Sequence, residues 1–446
     1  MFETIYALST VYGKSGVAVI RISGVGALHV IEKMTNLNVQ TLAPRHAYFC
    51  KLLSADKQEV LDNVLMLYFK KPHSFTGEDT VEIHCHGSKA VLASVLENMS
   101  KLEGFRMAEA GEFSKRAFYN NKMDLTEAEG MADLIDAETS AQQKQALKQM
   151  SGVLRKLYDA WREQLLKVYA YLEAYIDFPE EEISSEIMRE CKENVDLLVH
   201  EIKNHLIASK NGERLREGFR VVLTGPTNAG KSSLMNAIVE RQAVIVSDVA
   251  GTTRDAVDVH LDVAGYPVIL TDTAGLRVTD NEIEKQGIEI AHQKAEEADL
   301  ILALFDGACD SKDLFKQMAE KFEDKMIYVA NKSDQLSVTQ KEAFLKQGYL
   351  LISAKTKEGL PLLLETLKAR IGADISPSAS AMITRTRYRE ALKECLSNLE
   401  AFSFDKPIEL AGEDIRLAAR ALGKITGKIE VGEILDKIFG SFCIGK

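Results

Sequence analysis

The segment Gly225-Pro-Thr-Asn-Ala-Gly-Lys-Ser232 constrains this chain more than any other. It matches G-x-x-x-x-G-K-[ST] and follows the apolar, β-branched run Phe219–Thr224. The run Ser233–Val239 after it has helical character. A strand, this loop and a helix in that order form a phosphate-binding loop. Its glycines let backbone N–H groups face phosphate oxygens, and the helix N-terminus adds positive potential. Lys231 is placed to neutralise the β- and γ-phosphates, and Ser232 to ligate Mg2+. A glycine-rich turn without that role is the bland alternative for the motif standing alone.

Four further stations follow the spacing of one nucleotide site. Asp272-Thr-Ala-Gly275 ends a strand, where an Asp can hold Mg2+ through water and a flexible glycine N–H can meet the γ-phosphate. Thr252-Thr253 lies between the loop and Asp272, which makes Thr253 the candidate second Mg2+ ligand. Asn331-Lys-Ser-Asp334 follows a later strand. Its carboxylate can accept from guanine N1–H and the 2-amino group, a pair that adenine lacks, so GTP should be preferred to ATP. Ser353-Ala-Lys355 can offer a backbone N–H to guanine O6. Strand candidates around these stations are Ala256–Val263, Pro267–Thr271, Leu300–Phe305, Met326–Ala330 and Tyr349–Ile352. Ala264-Gly-Tyr266 reads as a hairpin, so one edge strand should be antiparallel. The alternation over residues 219–372 predicts a doubly wound α/β domain. It resembles the GTPase domain of the Ras-like superfamily, in the translation-factor-related branch.

The position after Asp272-Thr-Ala-Gly275 is Leu276, which can neither donate nor accept, so another group must orient the attacking water. Asp280, Glu282 and Glu284 are acidic candidates. Arg254, Arg277 or a bound cation could supply charge at the transition state. Asn228 offers a carbonyl oxygen for a monovalent cation, or it stabilises the turn; both readings stay open.

The rest of the chain sets the context. Its 446 residues predict two or three domains. Val17–Ile22, Asn63–Phe69 and Thr80–Cys85 read as strands and Ala90–Leu102 as a helix, an α+β pattern to about Phe118. From Leu125 the spacing turns helical, with a capping box expected from Thr126 and Glu129. Leu154, Leu157, Trp161, Leu165 and Val168 continue the helical pattern to Pro179. Glu180–Ile183 and Cys191–Leu206 suggest more helix, as do Thr384–Phe402 and Glu409 to the end. The expected division is an α+β domain over 1–118, helical parts over 119–216 and 376–446, and a GTPase domain over 217–375 inserted between them. A net charge of −11 excludes nucleic-acid binding over the whole surface and leaves only local patches. Six scattered cysteines without a C-x-x-C pair fit a reducing, cytoplasmic setting. No run of eighteen apolar residues predicts a membrane span, and the N-terminus lacks the pattern of a secretory signal.

Taken together, Gly16–Gly24, Ser74-Phe-Thr-Gly-Glu-Asp79, Ala110–Phe118, Asn121-Lys-Met-Asp-Leu125, Ala250-Gly-Thr-Thr-Arg-Asp255 and the end Phe442-Cys-Ile-Gly-Lys446 resemble the MnmE (TrmE) family of tRNA-modification GTPases over essentially the full length. The resemblance implies a homodimer whose N-terminal domain takes 5-formyl- or methylene-tetrahydrofolate through Arg21, Glu82, Lys122 and Lys446. It implies a nucleotide site of Asn228, Ala229, Gly230, Lys231, Ser232, Ser233, Ser247, Asp248, Val249, Ala250, Gly251, Thr252, Thr253, Asp272, Thr273, Ala274, Gly275, Asn331, Lys332, Asp334, Ser353, Ala354 and Lys355. Mg2+ would be held by Ser232, Thr253 and Asp272, and K+ by Asn228, Ser247, Val249 and Thr252. Glu284 matches the family's water-positioning glutamate, with Lys231 and Arg277 as catalytic partners, and Cys443 matches its C-terminal cysteine. This chain reads Pro226-Thr227 where a familiar form of the family's loop reads Arg-Pro, a change confined to backbone-shaping positions. The implied partner is the flavoprotein MnmG (GidA), which carries the FAD. Together the two add a carboxymethylaminomethyl or aminomethyl group to C5 of the wobble uridine (U34) of certain tRNAs.

Two other signals have bland readings. His84 and His86 share one strand face while Cys85 points to the other, so a structural role outweighs metal binding. Arg385, Arg387 and Arg389, and the face Arg416, Arg420, Lys424 and Lys428, could meet tRNA phosphates or pair with acids. A second class of function also stays open, a GTP-dependent assembly switch whose output is a partner interaction.

Overall fold

The computed structural model describes residues 3–177, 184–209, 212–241, 258–272, 293–308, 315–374, 383–429 and 432–445. Contacts divide the chain into two compact units: Met1–Ala132, Met150–Ile176 and Ile408–Lys446 form the first, and Asp133–Gln149 with Asp177–Pro407 the second. The expected four-part division separates the helical segments from the GTPase part, whereas contacts group residues 133–149 and 177–216 with it.

In the first unit the strands are β1 (Thr4–Leu8), β2 (Ser15–Ser23), β3 (Ala47–Leu53), β4 (Val60–Phe69), β5 (Thr80–Gly87) and β6 (Phe105–Met107). They form one mixed sheet in the order β3-β4-β5-β2-β1-β6. Alternation sorts the faces. Ala18, Ile20, Ile22, Val64, Met66, Val81, Ile83 and Cys85 point into a core closed by α1 (Ala27–Met34) and α2 (Lys89–Ser100). Ile5, Ala7, Ala108 and Phe113 form a second cluster, with Phe113 supplied by α3 (Glu112–Tyr119). The sequence reading finds β2, β4 and β5 but misses β1, β3 and β6. β1 is only five residues long and its first four are buried, so it carries no alternation.

Asp124, not Thr126, caps α4 (Leu125–Ile135). Glu127 N donates to Asp124 Oδ1 at 2.8 Å and Asp124 N donates to Glu127 Oε2 at 2.8 Å, a capping box set two residues before the expected one. Thr126 instead lends its hydroxyl to Asp124 Oδ1 at 2.9 Å. Asp124 Oδ2 is buried and has no hydrogen-bond partner among the described residues. Burial therefore pushes this carboxyl up to about 6, against the opposing pull of its hydrogen bonds to the Glu127 amide and the Thr126 hydroxyl. A raised carboxyl favours the folded state when protonated, so its contribution is full below the ordinary aspartate value and is lost as pH rises through about 6. Between pH 4 and 7 the wild type should lose about 2 kcal/mol of stability relative to Asp124→Asn, which keeps the Oδ1 cap. Urea unfolding of both proteins at the two pH values checks this, and a pH-independent difference would refute it.

The helix Val153–Asp177 buries Leu154, Tyr158, Trp161, Leu165, Val168 and Leu172, the stripe expected from the spacing except that Tyr158 replaces Leu157. The C-terminal helix expected from Glu409 onward is broken. Ile408–Thr426 ends with Gly427 N and Lys428 N both donating to Gly423 O at 3.0 Å, and a second helix, Gly432–Gly440, follows. Phe439 and Phe442 then pack with Leu125 and Ala128. The tail is held to the N-terminal part by Gly111 N on Cys443 O (3.4 Å), an isolated bridge between Ala110 and Ile444, and Ser9 Oγ on Gly445 O (3.0 Å).

In the second unit β7 (Phe219–Thr224), β8 (Asp258–Val263), β9 (Tyr266–Asp272), β10 (Leu300–Asp306), β11 (Met326–Asn331) and β12 (Leu350–Leu351) form a sheet in the order β12-β11-β10-β7-β9-β8. All pairings are parallel except that of the edge strand β8 with β9. The turn between them has both central residues at positive φ, Ala264 at 53° and Gly265 at 93°, which matches the twist of the strands it joins. Both faces of the sheet are covered. Val221, Leu223, Leu302, Leu304 and Val329 face one cluster, and Val222, Ile301, Ala303, Phe305 and Ala330 face the other. Strands buried on both sides read as unbroken apolar runs, which is why β7 and β10 were legible.

The basic run that opens the helix Thr386–Ala401 meets acids and an aromatic ring within this unit. Arg385 Nη2 and Arg216 Nε both donate to Asp133 Oδ1, at 2.7 and 3.0 Å. Arg389 Nε donates to Glu213 Oε1 at 3.1 Å, and the Arg387 guanidinium lies 4.4 Å from the centre of the Tyr388 ring. In the first unit Arg416 pairs with Glu413 at 2.6 Å and Lys428 with Asp159 at 2.9 Å. Arg385, Arg389, Arg416 and Lys428 thus take the acid-paired reading. Among the described residues no helix is long and apolar enough to cross a membrane.

Candidate nucleotide and cofactor sites

The phosphate loop leaves β7 at Thr224 and enters the helix Lys231–Val239 through Gly230, which has φ +92°. A Cβ on Gly230 would lie 2.3 Å from Asn331 Nδ2, so only glycine admits both this backbone and this neighbour. Lys231 is buried, and its Nζ donates to the carbonyls of Gly225 (2.7 Å) and Pro226 (3.0 Å). Burial lowers its pKa from the ordinary lysine value while the Asp272 carboxylate works the other way. Ser232 Oγ donates to Asp272 Oδ2 at 3.2 Å. A hydroxyl and a buried carboxylate converging at the end of β9 are the oxygen donors that Mg2+ takes, so these residues fit the ion. Asn228 is exposed and sits at φ +65°, at the crown of the loop.

Asn331 links the phosphate loop to the 353–355 loop. It is buried, its Nδ2 donates to Ala229 O at 2.8 Å, and its Oδ1 accepts from Ala354 N at 3.0 Å. One side chain thus ties the phosphate loop to the Ser353-Ala-Lys355 loop from the end of β11. Ser333 N adds a bond to Ile352 O at 2.9 Å. Lys332 sits at φ +61° and pairs with Asp306 at 2.6 Å. Asp334 is exposed, and hydrogen bonding from Ser353, aided by Lys355 and Lys341, holds its carboxyl below the ordinary aspartate range. It is therefore an acceptor-only carboxylate at neutral pH, as recognition of guanine N–H groups requires. The roles of Asn331 as a bracket and of Asp306 as a partner were not read from the sequence, because each depends on residues far apart in the chain.

A second constellation lies on β2 and β5, on the opposite sheet face from α1 and α2. Arg21 and Glu82 are directly paired in register, and Arg21 Nε donates to Glu82 Oε1 at 3.0 Å. The guanidinium lies 5.2 Å from the ring centre of Phe75 and 5.8 Å from that of Phe113. Lys122 Nζ donates to Pro72 O at 2.9 Å, on the same loop that carries Phe75. A charged pair walled by aromatic rings fits a flat heterocycle with a carboxylate tail. Phe75 and Phe113 were missed from sequence as parts of this site, although both lie in the family-like strings Ser74–Asp79 and Ala110–Phe118. Of the histidine pair, His86 Nδ1 binds Asp62 Oδ1 at 2.8 Å and His84 Nε2 lies 3.5 Å from Glu82 Oε2, while Cys85 Sγ donates inward to Ala18 O at 3.6 Å.

Several expected residues lie outside the described ones: Ser247, Asp248, Val249, Ala250, Gly251, Thr252, Thr253, Arg254, Thr273, Ala274, Gly275, Leu276, Arg277, Asp280, Glu282, Glu284 and Lys446. Cys443 is described and exposed, with its carbonyl held by Gly111.

A family model described as the MnmE helical domain matches residues 125–443, and one described as the GTP-binding protein TrmE N-terminus matches residues 4–122. The tRNA modification GTPase MnmE of Rickettsia akari is 43% identical over 447 residues, covering 100% of both chains. That of Parvibaculum lavamentivorans is 45% identical over 452 residues, again covering 100% of both. Among solved structures, Aquifex aeolicus Era bound to GDP.AlF4- is 22% identical over 42% of this chain and 69% of its own, with a TM-score of 0.28. The G domain of the T. maritima FeoB iron transporter is 25% identical over 35% of this chain and 99% of its own, with a TM-score of 0.26. With a family model over most of its length and relatives above 40% identity from end to end, the chain belongs to the MnmE (TrmE) family.

Proposed function

We propose that this GTP hydrolase acts in tRNA modification together with the flavoprotein MnmG (GidA), adding a carboxymethylaminomethyl or aminomethyl group to C5 of the wobble uridine (U34) of certain tRNAs. The observation that carries the reading is end-to-end identity of 43–45% to proteins called tRNA modification GTPase MnmE. The guanine-type pattern around Asp334 and the phosphate loop at Lys231 support it.

In this reading Lys231 meets the β- and γ-phosphates, the 331–334 and 353–355 loops take the base, and Ser232, Asp272 and Thr253 hold Mg2+. Asn228, with Ser247, Val249 and Thr252, holds K+. The bound cations supply positive charge that stabilises the charge developing on the phosphates. Glu284 positions the attacking water, with Arg277 nearby. Arg21, Glu82, Lys122 and Lys446 take the tetrahydrofolate, and Cys443 serves the modification step. Domains are assigned as 1–118, 119–216 with 376–446, and 217–375, and GTP hydrolysis drives G-domain dimerisation and rearrangement. The chain works as a cytoplasmic homodimer. Phe49 and Leu65, cross-strand neighbours that are 74% and 44% exposed, are an apolar pair consistent with a partner surface. FAD belongs to MnmG. The test is the wobble uridine of tRNA from cells lacking this protein: it should be hypomodified, and fully modified tRNA would reject the proposal.

A further inference from the structure

Asp306 ends β10 and reaches across to the loop after β11. Its Oδ2 accepts from Lys332 Nζ at 2.6 Å and its Oδ1 from Ala308 N at 3.0 Å. Burial alone would raise this carboxyl, but the hydrogen bonds from Lys332 and the Ala308 amide outweigh it and hold the group below the ordinary aspartate range. The Lys332 backbone is fixed from both sides. Gly307 N donates to Asn331 O at 3.0 Å, the Asn331 side chain is bracketed between Ala229 and Ala354, and Ser333 N bonds to Ile352 O at 2.9 Å. Lys332 itself is held at φ +61°, a conformation an L-residue keeps only when its surroundings impose it. Both ends of this side chain are therefore set: the Cβ direction by the backbone, and the ammonium by Asp306. A lysine ordered in this way presents its methylene stem as a surface, in the loop that also carries Asn331 and Asp334.

We propose that Asp306 is a positioning residue for the guanine base: by anchoring Lys332 it fixes the lysine stem as one wall of the base slot before nucleotide arrives. This rests on the reading that residues 331–334 take guanine. A free lysine would have to be ordered on binding, and immobilising one such side chain weakens affinity by about three- to tenfold.

The experiment is an equilibrium titration of the full chain with a fluorescent GDP, together with steady-state GTP hydrolysis, for wild type, Asp306→Asn and Asp306→Glu. Asp306→Asn keeps the acceptor for Ala308 but loses the charge. Its GDP dissociation constant and its KM for GTP should rise together by about three- to tenfold, with kcat retained and the melting temperature unchanged. Asp306→Glu should recover most of the loss. Affinity equal to wild type in Asp306→Asn would overturn the inference while leaving the guanine reading intact. A fall in melting temperature with no recovery in Asp306→Glu would also overturn it, assigning Asp306 to the fold alone. Wild type that fails to bind GDP would overturn the guanine reading, and the inference with it.

Discussion

Asp334→Asn should exchange the nucleotide preference of this chain from GTP to XTP. The Asp334 carboxylate is held in its ionised form by Ser353 and offers only acceptors. Guanine presents two donors on the edge it meets, N1–H and the 2-amino group. Xanthine replaces the amino group by a carbonyl, which would oppose a carboxylate oxygen. An asparagine amide reverses the match, since its oxygen accepts from N1–H and its nitrogen donates to the xanthine carbonyl. Sites built on such hydrogen bonds discriminate strongly, so kcat/KM for GTP should fall by about a hundredfold or more while that for XTP rises. Hydrolysis of the two nucleotides by wild type and variant, measured side by side, checks this. A variant that still prefers GTP would remove Asp334 from base recognition. Because Asp334 is exposed, the fold should tolerate the change.

Asn331→Ala should have the larger effect on stability. The side chain is 2% exposed and satisfies a donor and an acceptor at once, Nδ2 on Ala229 O and Oδ1 from Ala354 N. Alanine leaves both backbone groups without this partner and opens a space beside Gly230. Leaving buried polar groups unpaired costs about 1–3 kcal/mol each, so the variant should lose about 2–5 kcal/mol. It should also lose nucleotide affinity, because the phosphate loop and the base loop are no longer tied to one another. Urea unfolding and GDP titration measure the two effects. Unchanged affinity alongside reduced stability would confine Asn331 to packing.

These two residues show what the chain made legible and what it hid. The phosphate loop, the Asp272 strand end and the 331–334 loop are contiguous segments, each with its chemistry in neighbouring residues, so spacing alone places them. Asn331 could be read as part of a motif, but its bracketing role needs Ala229, 102 positions away. Asp306 belongs to no local pattern and became visible only through Lys332. The capping residue of α4 was misread by two positions. Thr126 and Glu129 have the right spacing, but Asp124 and Glu127 have it too, and the structure chooses the latter. Similarly, Arg21 and Glu82 enter the sequence reading only through resemblance. What unites them is the cross-strand register of β2 and β5, together with two phenylalanines from elsewhere in the chain.

The proposed use of a bound monovalent cation through Asn228 by this GTP hydrolase is tested most directly by GTP hydrolysis in potassium chloride and in sodium chloride at equal ionic strength. Asn228 stands exposed at the crown of the loop with φ +65°. The account predicts hydrolysis that is strongly stimulated by potassium in the wild type and loses that stimulation in Asn228→Ala. Equal, slow rates in both salts would contradict it, and would point instead to an activating protein that supplies the missing charge.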